Sequence, residues 1–190
     1  MQMVMQKAPL PTGTAGAAND RCMAYCGIAL YEAVVEGMPS YQSLYGQLTD
    51  FPGMPSTENG KAYHWGACAN AALAEMNRRL FPLTADANKM AMDSLENHWQ
   101  TIFAAQTSPA TLQRSIDFGK EVATRVFNWA ATDGSANVNP PYVPPTGPGL
   151  WIPTAATPPV GPYSFQRRKL VPGVDRGTTL APPPPFSTDP

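Results

Sequence analysis

Proline is distributed so unevenly along this chain that the two parts cannot fold in the same way. Most of the 22 prolines lie beyond residue 133. Each proline ring removes a backbone donor and clashes with the preceding helical turn. Residues 133–190 are therefore barred from long helices. Residues 19–132 hold few prolines, and those sit at breaks between helical patterns. Asp133-Gly134-Ser135 marks the boundary, a turn-forming cluster whose glycine suits the left-handed position beyond a helix. The expected organisation is a flexible N-terminus over 1–18, a helical bundle over 19–132 and a proline-rich arm over 133–190.

Four helices are expected in the bundle. The first starts with Asn19 or Asp20 as its cap and runs to Val35, before Gly37 and Pro39. Cys22, Cys26, Ala29 and Ala33 line its stripe, widened by Met23, Leu30 and Val34. Residues 41–55 read as a loop or short helix. The second helix covers about Lys61–Leu80, with a stripe of Trp65, Cys68, Ala69, Ala72, Leu73, Met76 and Leu80. Its alanines allow a neighbouring helix to approach closely. Thr84 is the expected cap of the third, where Met92, Leu95, Trp99, Ile102 and Phe103 share a face. Ser108-Pro109 opens the fourth, on which Leu112, Ile116, Gly119, Ala123, Val126, Phe127 and Ala130 form the apolar stripe.

Spaced anchors in the arm (Tyr142, Leu150, Trp151, Ile152, Tyr163, Phe165 and Leu170) suggest an extended segment that wraps over the bundle. The fold class expected is all-α, a bundle of about four helices with a long proline-rich extended C-terminal arm.

Charge narrows the function. Only 14% of residues are charged and the net charge is -1, so there is no basic stripe to neutralise phosphates and no nucleic-acid partner is expected. The basic run Arg167-Arg168-Lys169 reads as a solvated loop. Three cysteines cannot build a disulfide framework, and Cys22 and Cys26 read as small core residues rather than metal ligands. The N-terminus lacks a secretory apolar core, and no apolar run approaches the roughly 20 residues of a membrane span.

The same segments carry a resemblance. Arg21-Cys22-Met23-Ala24-Tyr25, Ile28-Ala29-Leu30-Tyr31-Glu32-Ala33 and Gly37-Met38-Pro39-Ser40-Tyr41-Gln42-Ser43-Leu44 resemble the opening of bacterial vanadium-dependent haloperoxidase-like proteins, of the type 2 phosphatidic acid phosphatase superfamily. Asp133-Gly134, Tyr142-Val143-Pro144-Pro145, Gly147-Pro148-Gly149-Leu150-Trp151-Ile152-Pro153-Thr154 and Pro162-Tyr163 are its most specific part. Pro182-Pro185 with Phe186-Ser187-Thr188-Asp189-Pro190 is similar to that family's lead into its catalytic half. Ser164-Phe165 departs from the Trp-Gly that relatives tend to carry there. The resemblance implies helices that scaffold an enzyme oxidising halide with hydrogen peroxide, or hydrolysing phosphate esters. It also implies vanadate as the cofactor of the full-length parent, and export from the cytoplasm.

The family's catalytic kit is a Lys followed after six residues by Arg-Pro, a Ser-Gly-His, and an Arg followed after five residues by His. None of these occurs here. Lys169 and Arg176 have the first spacing, but Gly177 stands where Pro belongs and Pro172-Gly173 interrupts the helix. His64 and His98 follow no glycine and read as structural or solvent-facing. Asp86 is explained by the helix dipole, Asp93 and Glu96 by an exposed face. Asp133-Gly134-Ser135 lacks the further acidic ligands of a calcium loop. No catalytic, cofactor-binding or metal-binding residue is therefore expected in this segment. Its expected partners are the catalytic C-terminal half of the same protein, or another copy through exposed apolar helix faces. The alternative is an autonomous interaction module with Pro182–Pro185 and Phe186 as a polyproline ligand.

Overall fold

The computed structural model describes residues 17–150, 152, 159 and 161–174. They hold four α-helices and no strand: α1 (Ala17–Glu32), α2 (Trp65–Leu80), α3 (Asp86–Ala104) and α4 (Pro109–Ala131). Short 3-10 turns follow at Val35–Gly37 and Ser164–Gln166. The expected all-α bundle is present. Among the described residues no helix is long and apolar enough to cross a membrane. Pro182–Pro185, Trp151 and Arg176, singled out above, lie outside the described residues.

Helix α2 is the centre, packed on α1, α3 and most extensively on α4. That position explains why its burial exceeds one stripe. Ala67, Ala71, Ala74 and Asn77 are buried along with Cys68, Ala72 and Met76. Small side chains let the axes approach. A Cβ added at Gly119 of α4 would overlap the carbonyl oxygen of Cys68 in α2. Ser115, wholly buried in α4, accepts from His64 N at 2.8 Å and donates to Thr111 O at 2.7 Å, so its hydroxyl is satisfied.

Caps place three helix starts. Ser108 Oγ accepts from Thr111 N at 3.2 Å with Pro109 next, as the sequence indicates. Helix α2 begins four residues later than expected, because His64 is its cap and Nδ1 accepts from Ala67 N at 3.1 Å. Helix α3 is capped by Ala85 without a side-chain bond. Thr84, expected there, is buried and accepts from the Asn88 side chain at 2.9 Å. Helix α1 already includes Asn19 and Asp20 in its first turn and ends at Glu32, before Val35.

Two assignments on α1 are corrected. Met23 and Leu30, expected in the buried stripe, are exposed. Tyr25 and Glu32 are buried instead, the carboxylate of Glu32 accepting from Leu44 N at 2.7 Å and Ser43 Oγ at 2.9 Å. Those bonds pin the loop after α1 and bring Phe51 into the core, edge-on to Trp129 at 4.9 Å.

Glycine substitutions separate close packing from helix propensity. Gly119→Ala should lower unfolding free energy by roughly 1–3 kcal/mol in urea titrations, since overpacking forces α2 and α4 apart. Gly27→Ala meets nothing within 4 Å and should raise it by roughly 0.5–1 kcal/mol. Equal effects would mean that α2 and α4 are not in backbone contact.

Candidate functional site

The ends of α1, α2 and α4 meet the 161–174 segment at one pole of the bundle, where the most densely bonded polar cluster of the described residues lies. At its centre is Asp133, 3% exposed, two residues past the end of α4. Oδ2 accepts from Arg21 Nε at 2.9 Å and from Tyr25 Oη at 2.6 Å, and Oδ1 from Ser135 N at 2.7 Å. Arg21 Nη2 also donates to Tyr25 Oη at 2.6 Å. Helical spacing aligns Arg21 and Tyr25, four residues apart, toward one point. Gly134 takes a φ of +85° and makes the turn that buries Asp133.

Arg168 closes the cluster from the far segment. Its amide donates to Asp133 O at 2.8 Å, and its carbonyl accepts from Arg21 at 3.3 Å. Its guanidinium lies 4.4 Å over the Trp129 ring, donates to Trp129 O, and reaches Thr132 Oγ1 at 2.9 Å. The basic run read above as a solvated loop is thus corrected at this residue: Arg168 caps the carbonyl end of α4, where the helix dipole favours a cation.

Beside the cluster opens a cleft of about 400 Å³. Its walls are Cys22, Tyr25, Leu80, Phe81, Phe127, Ala130, Ala131 and Ala136, with Arg21, Arg79, Arg167, Asp133 and Ser135 at polar points. Phe127 carries the Arg79 guanidinium 5.5 Å over its ring.

The electrostatics give stability rather than acid–base chemistry. Burial pushes the Asp133 carboxyl up, but hydrogen bonds from Ser135, Tyr25 and Arg21 outweigh it and hold the group down at about 2. Burial and the Asp133 charge push the Tyr25 phenol up to about 12. Burial raises the Cys26 thiol to about 12 and Cys68 to about 11, and it raises Cys22 as well. All three cysteines are free thiols. None of these groups is poised to exchange a proton or attack near neutral pH.

The residues considered for catalysis are scattered over the fold. His64 caps α2 with Nδ1, bonds Gln106 Oε1 through Nε2 at 2.9 Å, and packs on Phe103 at 4.6 Å. The exposed His98 lies edge-on to Trp99 at 5.7 Å. Asp86 is exposed at the start of α3 and pairs with Lys89 at 3.1 Å. Asp93 is exposed as expected, but Glu96 is not: it is 5% exposed and ion-paired to Arg78, which also holds Asp93 at 2.8 Å. A buried carboxylate on an apparently polar face is explained by that guanidinium, which α2 supplies. Among the described residues, no group of three or more His, Cys, Asp and Glu side chains could hold a metal.

Comparison with known proteins gives one structural likeness. The chain is similar to a bacterial vanadium-dependent iodoperoxidase of known crystal structure, with a TM-score of 0.69 and 25% identity over 90% of this chain. No protein-family model and no curated protein matches it. The chain spans 40% of the length of that iodoperoxidase. The match supports the resemblance to the vanadium-dependent haloperoxidase superfamily read from the sequence. Vanadate needs several convergent cations and an imidazole. The described residues do not fit it: Arg21, Arg78, Arg79, Arg114 and Arg125 each hold a carboxylate, and both nitrogens of His64 are bonded within the fold.

Asp133→Asn should cost about 2 kcal/mol at neutral pH, the linkage expected for a carboxyl moved from 3.8 to about 2. The folded-state value is depressed, so this stabilisation is complete above the unfolded value and is lost as pH falls toward 2. Denaturation of wild type and variant should therefore converge between about pH 4 and pH 2. A constant difference across that range would show that the carboxylate charge is not what matters. In thiol titrations with an aromatic disulfide, Cys26 and Cys68 should stay unmodified until the chain is unfolded. Rapid native labelling of either would contradict its burial.

Proposed function

We propose that this chain is the N-terminal scaffold half of a vanadium-dependent haloperoxidase-like enzyme, a parent that oxidises halide with hydrogen peroxide or hydrolyses phosphate esters. The observation that carries this reading is the likeness to an iodoperoxidase over only 40% of that protein's length. The described residues add support, because their cations are largely committed to ion pairs and bonds that hold helices and loops together. In this reading the parent's vanadate is held by residues beyond the segment described here.

The surface supports a covering partner. Leu83 and Met90 are 84% and 71% exposed at and near the start of α3, and Trp99 on the same helix is also exposed. Val143, Ile152 and Phe165 stand out from the segments after α4. These side chains, spread over several segments, are available for burial against another body. The proposed partner is the catalytic half of the parent, with self-association as the alternative when that half is missing. In this reading residues 133–190 are the arm that leads from scaffold to catalytic half.

Iodide and bromide peroxidation and phosphate-ester hydrolysis, assayed on the isolated chain with added vanadate, should give no turnover. The vanadium-51 resonance of vanadate should not broaden on adding the chain. Oxidative footprinting should show Met90 and Trp99 protected in the longer parent and reactive in this chain alone. Turnover by the isolated chain, or equal reactivity of both residues in the two forms, would overturn the scaffold reading.

A further inference from the structure

The cleft at the pole of the bundle has a charge balance that the scaffold role does not use. Three guanidiniums and one carboxylate face it. Arg21 is neutralised by Asp133 at 2.8 Å, and Arg79 by Glu75 at 2.6 Å. Arg167 is half-buried at the cleft and has no side-chain partner among the described residues. One positive charge is therefore left over against walls made by Leu80, Phe81, Phe127, Ala130 and Tyr25. A guanidinium only partly solvated beside an apolar hollow can pair with an anion through charge-assisted bonds.

We propose that this cleft binds a small amphipathic monoanion, a carboxylate or sulfonate with an aromatic or short aliphatic body. The body occupies the hollow between Phe81 and Phe127, and the anionic group pairs with Arg167. The volume of about 400 Å³ lies within the range of small-molecule pockets. The net charge sets the ligand class. A neutral hydrocarbon leaves Arg167 desolvated without a partner, and a polyanion meets two guanidiniums already satisfied and the Asp133 carboxylate. The site goes beyond the scaffold reading and does not depend on it.

Fluorescence titration of the full chain with anilinonaphthalene sulfonate tests this. One saturable site per chain is expected, displaced by decanoate and at least tenfold less well by decanol. Arg167→Gln should weaken the probe about tenfold with the melting temperature unchanged. The exposed Lys89→Gln, on α3, which contributes no residue to the cleft, is the control and should bind as wild type. Absence of saturable binding, equal displacement by decanoate and decanol, or unchanged affinity in Arg167→Gln would overturn the proposal. So would a doubled mass in light scattering with probe binding lost on dimerisation, since the cleft would then belong to a second copy.

Discussion

The guanidinium of Arg168 ties the segment after α4 back onto the end of that helix. The last carbonyls of any α-helix lack intrahelical donors, and here Trp129 O accepts from Thr132 and from Arg168, a residue more than thirty positions further on that also reaches the Thr132 hydroxyl. The same side chain covers the Trp129 ring, whose indole N–H donates to Thr49 O at 3.0 Å. Thr49 N in turn donates to Leu170 O at 2.9 Å. Helix α4, the loop before α2 and the segment after α4 are thereby closed into one ring of bonds. The Asp133 cluster attaches α1 to this ring through Arg21 and Tyr25. A bundle assembled only from helix stripes would leave that pole open.

The buried carboxylates follow the same logic. Glu32, Glu96 and Asp133 are all inside, and each sits where backbone amides or an arginine must be held. Glu32 binds the amide of Leu44, Glu96 binds Arg78 from α2, and Asp133 binds Arg21 from α1. A buried charge is tolerated only when paired and hydrogen-bonded, and removing its partner costs more than the pair contributes. Such groups fix the geometry of α1, α2 and the loops more than they add to stability. Two of them also withdraw an arginine, Arg78 and Arg21, from any role on a ligand.

How far the sequence discloses this depends on the range of each interaction. Helical periodicity and local punctuation are short-range, so Ser108-Pro109, Gly134 and the apolar faces of α2 and α4 are readable from their neighbours alone. The alanine density of α2 likewise announced a close neighbour, although not that the neighbour would be Gly119. What local reading missed are residues whose partner lies far along the chain. Glu96 looked solvent-facing because Arg78 is on another helix. Arg168 looked like part of a basic loop because Trp129 precedes it by dozens of residues. Met23 and Leu30 show the converse error, since an apolar residue at helical spacing is buried only if something stands opposite. For the cleft, the one signal available was Arg167, a charge with no local counterion, and its apolar walls come from three different helices.

The division of labour between the two basic neighbours is the most informative consequence. Arg167 and Arg168 are adjacent, and past the turn at Ser164–Gln166 the first lines the cleft while the second lies over the ring of Trp129. One is taken up by the carbonyl end of α4 and the ring of Trp129. The other faces a hollow whose remaining charges cancel. Holding Arg168 in place fixes the backbone from which Arg167 projects, so the cap on α4 also positions the unpaired cation. The cap on α4 and the cleft are thus coupled through one stretch of backbone, since what holds Arg168 on Trp129 sets where the Arg167 guanidinium meets the apolar walls.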